Sequence, residues 1–213
     1  MLTLYGYKGS GSAAVEAALA WAGLPCRIVQ AASWDEASAL DELRRVNPLA
    51  QIPTLVLEDG TAMTESAAIL IHLGLAHPQS GLLPADRSQR AKALRGLVYV
   101  AANCYAAIGV IDFPERWCED ADETTRKHIA AGTTRRLHDL WDGFADQFAA
   151  GVTPKFLVGD EPGALDLLAA VVSKWSGSRA HLRGSRPAFH ELLMRVEGHP
   201  RVADVFERHW PRT

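Results

Sequence analysis

The apolar positions in the first eighty residues alternate between short β-type runs and longer segments with helical spacing. The predicted strands cover Leu2–Tyr5, Cys26–Val29, Thr54–Leu57 and Thr61–Met63. The predicted helices cover Ala13–Trp21, Trp34–Val46 and Glu65–Ala76. A parallel strand pair needs a crossover helix, and Asp59-Gly60 is typical of a tight hairpin turn. The order βαβ, helix, then ββα therefore predicts a small mixed sheet with helices around it.

The second part of the chain shows helical spacing, with Gly and Pro between the helical segments. The predicted helices cover Arg87–Ile111, Ala121–Phe148, Leu165–Trp175, Pro187–Val196 and Pro200–His209. The stretch from His77 to Pro84 carries two prolines and one glycine without periodicity, which is typical of a linker. We therefore expect an α/β domain over residues 1–77, a linker over 78–86 and an all-helical domain over 87–213.

The composition of the chain argues against several classes of function. Hydrophobic residues make up 48% of the chain and charged residues 22%, which favours a globular protein with a real core. The formal net charge of −3 argues against a nucleic-acid partner, and the apolar runs are too short to predict a membrane span. Three cysteines without CxxC spacing indicate free thiols in the cytoplasm, and the eight histidines form no paired pattern that predicts a metal site.

The segment Gln51-Ile52-Pro53-Thr54 leads directly into a predicted strand. A proline before a strand cannot donate to the sheet, so it calls for a structural reason. A cis peptide bond would expose the backbone of Ile52 to an extended peptide ligand. The alternative is an ordinary trans proline at a strand entrance.

The pair Glu65-Ser66 stands at the start of a predicted helix. The free N–H groups there favour an anion, Ser66 adds a hydroxyl, and Glu65 can meet an ammonium group. Together they suit the head group of an α-amino acid. The alternative is simple capping, with Thr64 or Ser66 as the N-cap.

These motifs, together with the order of elements, the proline-containing linker and the helical second half, resemble the cytosolic glutathione transferase family. The resemblance covers nearly the whole chain and rests on the segments 47–55 and 65–69. It implies a thioredoxin-like βαβαββα domain followed by an all-helical bundle, in a bacterial serine-type member that is beta- or theta-like. It also implies glutathione as co-substrate, held by Gln51, Ile52, cis-Pro53, Glu65 and Ser66, and a homodimeric, detoxifying enzyme.

Three residues are candidates for activating the glutathione thiol. Aligned with the family, Gly9 falls at the position of the serine, and Gly11 falls where beta-like members carry a cysteine. Ser10 is the first candidate, Ser12 the second, and Tyr5, which matches the tyrosine of the tyrosine-type classes, the third. The alternative role for either serine is helix N-capping.

A second substrate, a small hydrophobic electrophile, is expected between the domains. Its candidate contacts are Tyr99, Asn103, Tyr105, Phe113, Arg116 and Trp117. The expected reaction is conjugation of the glutathione thiolate to this electrophile. Two alternatives remain, namely a non-catalytic glutathione-binding protein and a glutathione-dependent disulfide reductase or isomerase. Farther along, Asp166 is expected to cap a helix for folding stability, although Gly163 replaces the hydroxyl residue of the family's reciprocal cap.

Overall fold

The computed structural model describes residues 1–149 and 155–211, and it opens with a four-stranded mixed sheet. The strands are β1 (Leu2–Gly6), β2 (Cys26–Gln30), β3 (Thr54–Val56) and β4 (Ala62–Met63). They lie in the order β2-β1-β3-β4, with β1 parallel to β2 and antiparallel to β3. Strand β4 closes the edge as the antiparallel partner of β3. The predicted mixed sheet is confirmed.

Helices flank the sheet and build the whole second half. The helices are α1 (Ser12–Ala22), α2 (Leu40–Val46), α3 (Ser66–Ala76), α4 (Arg87–Tyr99), α5 (Ala106–Asp112), α6 (Glu123–Phe144), α7 (Ala164–Val172), α8 (Ser178–Ser185), α9 (Pro187–Glu197) and α10 (Ala203–His209). The fold class is the predicted one, a thioredoxin-like sheet domain followed by an all-helical domain. The exact boundaries of the two domains stay a prediction.

Helix α1 lies at the centre of the molecule. Every residue from Ser12 to Leu19 is buried, because α1 packs against α3 on one side and against α7 and α10 of the helical half on another. Four of these residues are alanines, whose small side chains let the neighbouring helices approach closely. The residues just before α1 are therefore held between the two halves.

Helices α4 and α5 form one continuous rod because a π-helical segment, Val100–Tyr105, joins them. Such segments interrupt the regular α-helical spacing and are frequent at functional sites. By length and composition alone, residues 87–112 could span a membrane. Within the described chain, the rod buries Leu97, Val100 and Cys104 completely.

The predicted helix over Trp34–Val46 is wrong in its first half. The helix begins only at Leu40, and the residues before it form turns. The hydroxyl of Ser38 accepts a hydrogen bond from the Ala32 N–H at 3.0 Å, and the Asp35 carboxylate accepts one from the Ala37 N–H at 3.1 Å. Short polar side chains that bond to nearby backbone compete with helix formation in this way.

Helix α8 was not expected from the sequence. Its eight residues, Ser178–Ser185, bury only Ser178 and Leu182, so the apolar spacing that signals a helix is almost missing. The predicted helix Leu165–Trp175 ends earlier, at Val172, and Trp175 follows it in a turn. The last helix begins at Ala203 rather than at Pro200.

Asp166 holds the start of α7, as expected, and its partners explain why Gly163 is tolerated. The Asp166 carboxylate is fully buried and accepts hydrogen bonds from the backbone N–H of Gly163 at 3.0 Å and of Leu157 at 2.9 Å. The Leu82 carbonyl accepts from the Ala164 N–H at 2.8 Å, and a Cβ added at Gly163 would lie only 3.0 Å from that carbonyl oxygen. A glycine therefore leaves room for a contact between the predicted linker and α7.

Candidate active site

Two adjoining cavities lie between the sheet half and the helical half. The first has a volume of about 490 Å³ and the second about 590 Å³. Trp34, Ile52, Tyr105 and Phe113 line both cavities, so the two form one continuous cleft. We call them the first and second cavity below.

All five residues that the sequence predicted as glutathione contacts line the first cavity. Its lining includes Gln51, Ile52, Pro53, Glu65 and Ser66. The peptide bond between Ile52 and Pro53 is cis, as the resemblance implied. Within the described residues, the backbone N–H and C=O of Ile52 have no hydrogen-bond partner, so both groups are available to a ligand.

The loop that carries these contacts is fixed by Asn47, a residue that the sequence analysis did not single out as functional. Asn47 is buried, and its side-chain amide donates to the Gln51 carbonyl at 3.1 Å and to the Thr54 hydroxyl at 3.0 Å. Thr54 in turn donates to the Gln51 carbonyl at 2.7 Å. These bonds hold Gln51 and Ile52 against the start of β3.

Glu65 and Ser66 are placed by the N-terminus of α3. Ser66 is the first helical residue and is buried, and it lines the first cavity at the helix end whose first N–H groups have no partner within the helix. Glu65 has a φ of 62°, in the left-handed region that a residue with a side chain rarely adopts. Such backbone conformations concentrate at functional sites, and here the conformation sets a carboxylate beside a helix N-terminus.

Of the predicted thiol activators, Ser10 alone lines the cleft, in the second cavity. Ser12 lies beneath it, 1% exposed, with its hydroxyl 2.8 Å from that of Ser10. The Ser12 hydroxyl also accepts from the Tyr7 N–H at 3.2 Å and lies 3.4 Å from the Tyr7 carbonyl, to which it can donate. Ser12 thus positions Ser10 and the loop, and it is not exposed to a ligand.

The geometry argues against Tyr5 as the activator. Its ring packs under the sheet with Val29 and Leu43, and its hydroxyl donates to the Glu42 carboxylate at 2.8 Å. Burial, followed by the hydrogen bond to Glu42, raises the pKa of Tyr5 above its usual value. Tyr5 lines neither cavity.

The candidates for the second substrate divide into two groups. Tyr105, Phe113 and Arg116 line the cleft, and Arg116 lies over the Phe113 ring at 3.9 Å. The other three candidates do not line either cavity. Tyr99 donates to the Leu140 carbonyl at 3.0 Å, and Asn103 donates to the Tyr99 carbonyl one helical turn away. Trp117 is 64% exposed outside the two cavities.

The C-terminal helix reaches the activator loop through His209. The imidazole Nδ1 accepts a hydrogen bond from the Gly9 N–H at 3.1 Å, and Nε2 lies 3.0 Å from the Glu16 carboxylate. Because Nδ1 accepts, the neutral ring carries its proton on Nε2 and donates it to Glu16. Burial alone would raise the pKa of Glu16, but hydrogen bonds from His209 and Arg208 lower it below the usual value.

Other residues of the cleft gave little signal in the sequence. Trp34 lies in the turns mistaken for a helix, and it is 63% exposed, which is unusual for a tryptophan outside a binding surface. Trp175 lines the second cavity just after α7. No group of side chains suited to a metal ion exists among residues 1–149 and 155–211.

The chain is similar to known proteins in sequence and in fold. A family model described as the N-terminal domain of glutathione S-transferase matches residues 12–75. An uncharacterized GST-like protein of Escherichia coli K12, YncG, is 38% identical over 130 residues, which is 61% of this chain and 63% of the relative. A crystal structure of a glutathione transferase homologue from Sulfitobacter with bound glutathione superposes with a TM-score of 0.79 at 25% identity over 96% of both chains.

The family model, the relatives and the solved structures together support membership of the chain in the glutathione transferase family. A further relative is a probable maleylacetoacetate isomerase 1 of Drosophila melanogaster, 27% identical over 173 residues. That match covers 81% of this chain and 65% of the relative, so the chain spans less than two thirds of either curated relative.

Proposed function

We propose that the protein binds glutathione in the first cavity and transfers its thiolate to a small hydrophobic electrophile in the second. The observation that carries the proposal is the continuity of the cleft. Gln51, Ile52 and Glu65 line its first part, Ser10 lines its second part, and Ile52 borders both. A tripeptide held along the first cavity can thus place its central cysteine near Ser10.

The γ-glutamyl and cysteinyl parts of glutathione each have a matching partner in the first cavity. The γ-glutamyl end carries an ammonium and a carboxylate, which suit the Glu65 carboxylate and the N-terminus of α3 with the Ser66 hydroxyl. The cysteinyl backbone suits the unpaired N–H and C=O of Ile52 as an added strand would. Gln51 lies beside this position in the same cavity.

The chemistry requires a thiolate, because a free thiol with a pKa of about 8.5 is mostly protonated at neutral pH. Ser10 stands just before α1 at the border of the second cavity, where a hydroxyl donor and the positive end of a helix dipole both stabilise an anion. The side chains of Ile108, Phe113 and Trp175 give the second cavity an apolar wall for an electrophile. Proximity then supplies much of the rate enhancement.

The test uses purified protein in two steps. Calorimetric titration with glutathione measures binding, and glutathione conjugation of a chlorinated aromatic compound measures transfer. We expect both, with Glu65→Gln weakening the binding and Ser10→Ala slowing the transfer. Binding without transfer would favour the non-catalytic alternative, and activity only on a mixed disulfide would favour the reductase. Absence of glutathione binding would overturn the proposal.

A second candidate function is glutathione-dependent isomerisation of an unsaturated acid. It is favoured by the maleylacetoacetate isomerase among the relatives and by Arg116, a cation at the cleft that suits a carboxylate. In this reaction the thiolate adds to one carbon of the double bond, the resulting single bond rotates, and expulsion of the thiolate restores the double bond. Turnover of maleylacetoacetate, lost in Arg116→Ala, would support this function over conjugation.

We also propose that the protein is a homodimer, that it is located in the cytoplasm and that it has a role in detoxification. The first is checked by light scattering of the purified protein. The second is checked by fractionation of the cells that express it.

A further inference from the structure

The side-chain space above Gly11 is already occupied by another residue. A Cβ added at Gly11 would overlap the hydroxyl oxygen of Tyr105 and would lie 2.9 Å from Tyr105 Cζ. The phenol group of Tyr105 therefore packs directly against the backbone of the loop that carries Ser10. Glycine at position 11 is what allows this approach, since every other residue would displace the ring.

Tyr105 is held firmly in this position. It ends the π-helical segment between α4 and α5, and its ring stacks on Trp175 with centroids 5.7 Å apart and planes 26° apart. It lines both cavities, together with Ile52 on the glutathione side and Ser10 on the opposite side. The hydroxyl is consequently located where the two parts of the cleft meet.

Across the described ranges, the two serine hydroxyls of the loop are hydrogen-bonded, whereas the Tyr105 hydroxyl is not. The Ser10 and Ser12 hydroxyls bond to each other at 2.8 Å, and Ser10 also accepts from the Ser12 N–H at 3.3 Å. The Tyr105 hydroxyl has no hydrogen-bond partner within the described part of the chain. A half-buried donor without a partner, at the border of an open cavity, indicates a group that a ligand satisfies.

We propose that the Tyr105 hydroxyl donates a hydrogen bond to the sulfur of bound glutathione and is the main donor that stabilises its thiolate. This inference rests on the proposed function and assigns the activator to the helical half rather than to the Ser10 loop. Ser10 and Ser12 then shape the loop, while Gly11 leaves the thiolate-binding space to the phenol.

The protonation state of Tyr105 fits this role. Burial, with smaller contributions from the carboxylates of Glu65 and Asp112, raises the pKa of Tyr105 to about 12. The phenol therefore keeps its proton at neutral pH, when the sulfur has lost its own to solvent. A neutral O–H facing a thiolate is a charge-assisted donor, which is stronger than a bond between two neutral groups.

The decisive variant is Tyr105→Phe, which keeps the ring and its stacking on Trp175 and removes only the hydroxyl. We expect kcat for conjugation to fall about ten- to a hundredfold, the effect of losing one hydrogen bond to a charged group. The pKa of the bound thiol, followed by the ultraviolet absorption of the thiolate, is expected to rise by about one to two units. The affinity for S-methylglutathione, which has no thiol to ionise, is expected to stay within about twofold of the wild-type value.

Two controls separate the possible outcomes. Tyr99→Phe removes a hydroxyl from the same rod at a point outside the cleft and is expected to leave the thiol pKa unchanged. Ser10→Ala is expected to change the thiol pKa less than Tyr105→Phe does. A wild-type protein that binds and conjugates, paired with a Tyr105→Phe variant of unaltered thiol pKa and kcat, would overturn this inference alone. A wild-type protein that does not bind glutathione would overturn the proposed function itself.

Discussion

His209 Nδ1 accepts a hydrogen bond from the backbone N–H of Gly9 at 3.1 Å, which joins two residues 200 positions apart in the chain. Gly9 has a φ of +73°, so its loop depends on a conformation that few residues adopt. The other ring nitrogen of His209 bonds to Glu16 on α1. The last helix thereby fixes the loop that borders the second cavity.

We predict that His209→Asn and His209→Gln differ in activity. The Asn carbonyl oxygen can replace Nδ1 as acceptor for Gly9, whereas the Gln amide can replace only Nε2 at Glu16. The Gln variant is expected to lose several-fold in kcat for conjugation, and the Asn variant is expected to stay close to the wild type. Steady-state kinetics on both variants check this, and equal losses would show that the Gly9 bond has no role.

Glu65→Gln tests the amino-acid end of the ligand. Without the carboxylate, the ammonium group of glutathione loses a charge-assisted partner, so we expect Kd to rise about ten- to a hundredfold. Calorimetry measures the change. The matched control is Glu58→Gln, since Glu58 is exposed and pairs with the N-terminal ammonium group outside the cleft. Equal affinities of the two variants would remove Glu65 from the site.

Gly11→Ala is expected to impair activity through Tyr105. The added methyl group overlaps the phenol oxygen, so the ring must leave its position beside the loop. We expect the thiol pKa of bound glutathione to rise as it does in Tyr105→Phe. Gly132→Ala is the control, because a Cβ at that half-buried helical glycine meets no atom within 4 Å. A Gly11→Ala variant with wild-type kcat would contradict the close packing of Tyr105 on the loop.

Asp166→Ala tests the fold rather than the site. The change leaves the buried N–H groups of Leu157 and Gly163 without an acceptor, at about 1–3 kcal/mol each. We expect the free energy of unfolding to fall by about 2–5 kcal/mol in denaturant titration. The exposed Asp160→Ala is expected to change it by less than about 0.5 kcal/mol. A similar small change in both would show that other groups satisfy this cap.

The pKa of Glu16 predicts the direction of an acid effect. Its folded-state pKa lies below the usual value, so the ionised carboxylate stabilises the folded protein at neutral pH. This contribution is fully present above the ordinary carboxyl pKa and is lost as the pH falls through the lowered one. We expect the stability difference between the wild type and Glu16→Gln to shrink on acidification, which thermal melts from neutral to acidic pH measure. A difference that is constant with pH would contradict the assignment.

The sequence was sufficient to predict those parts of the protein that depend on residues close together in the chain. The cavity residues 51–53 and 65–66 form two contiguous motifs at the ends of single elements, and the resemblance to glutathione transferases implied that both belong to one site. The contact between His209 and Gly9 joins opposite ends of the chain, and no local pattern encodes it. Trp34 was assigned to a helix because the bonds of Ser38 and Asp35, which stop the helix, depend on the folded loop.

The contact of Tyr105 with Gly11 also constrains how this protein and its kin can diverge. A side chain at position 11 would occupy the same space as the Tyr105 ring. A lineage that acquires a side chain at position 11 must therefore first replace Tyr105 with a smaller residue. Ile108 and Phe113, which also line the second cavity, have no such overlap with the loop and can be exchanged more freely. We therefore expect the range of accepted electrophiles to vary widely among close relatives, while positions 11 and 105 change only together.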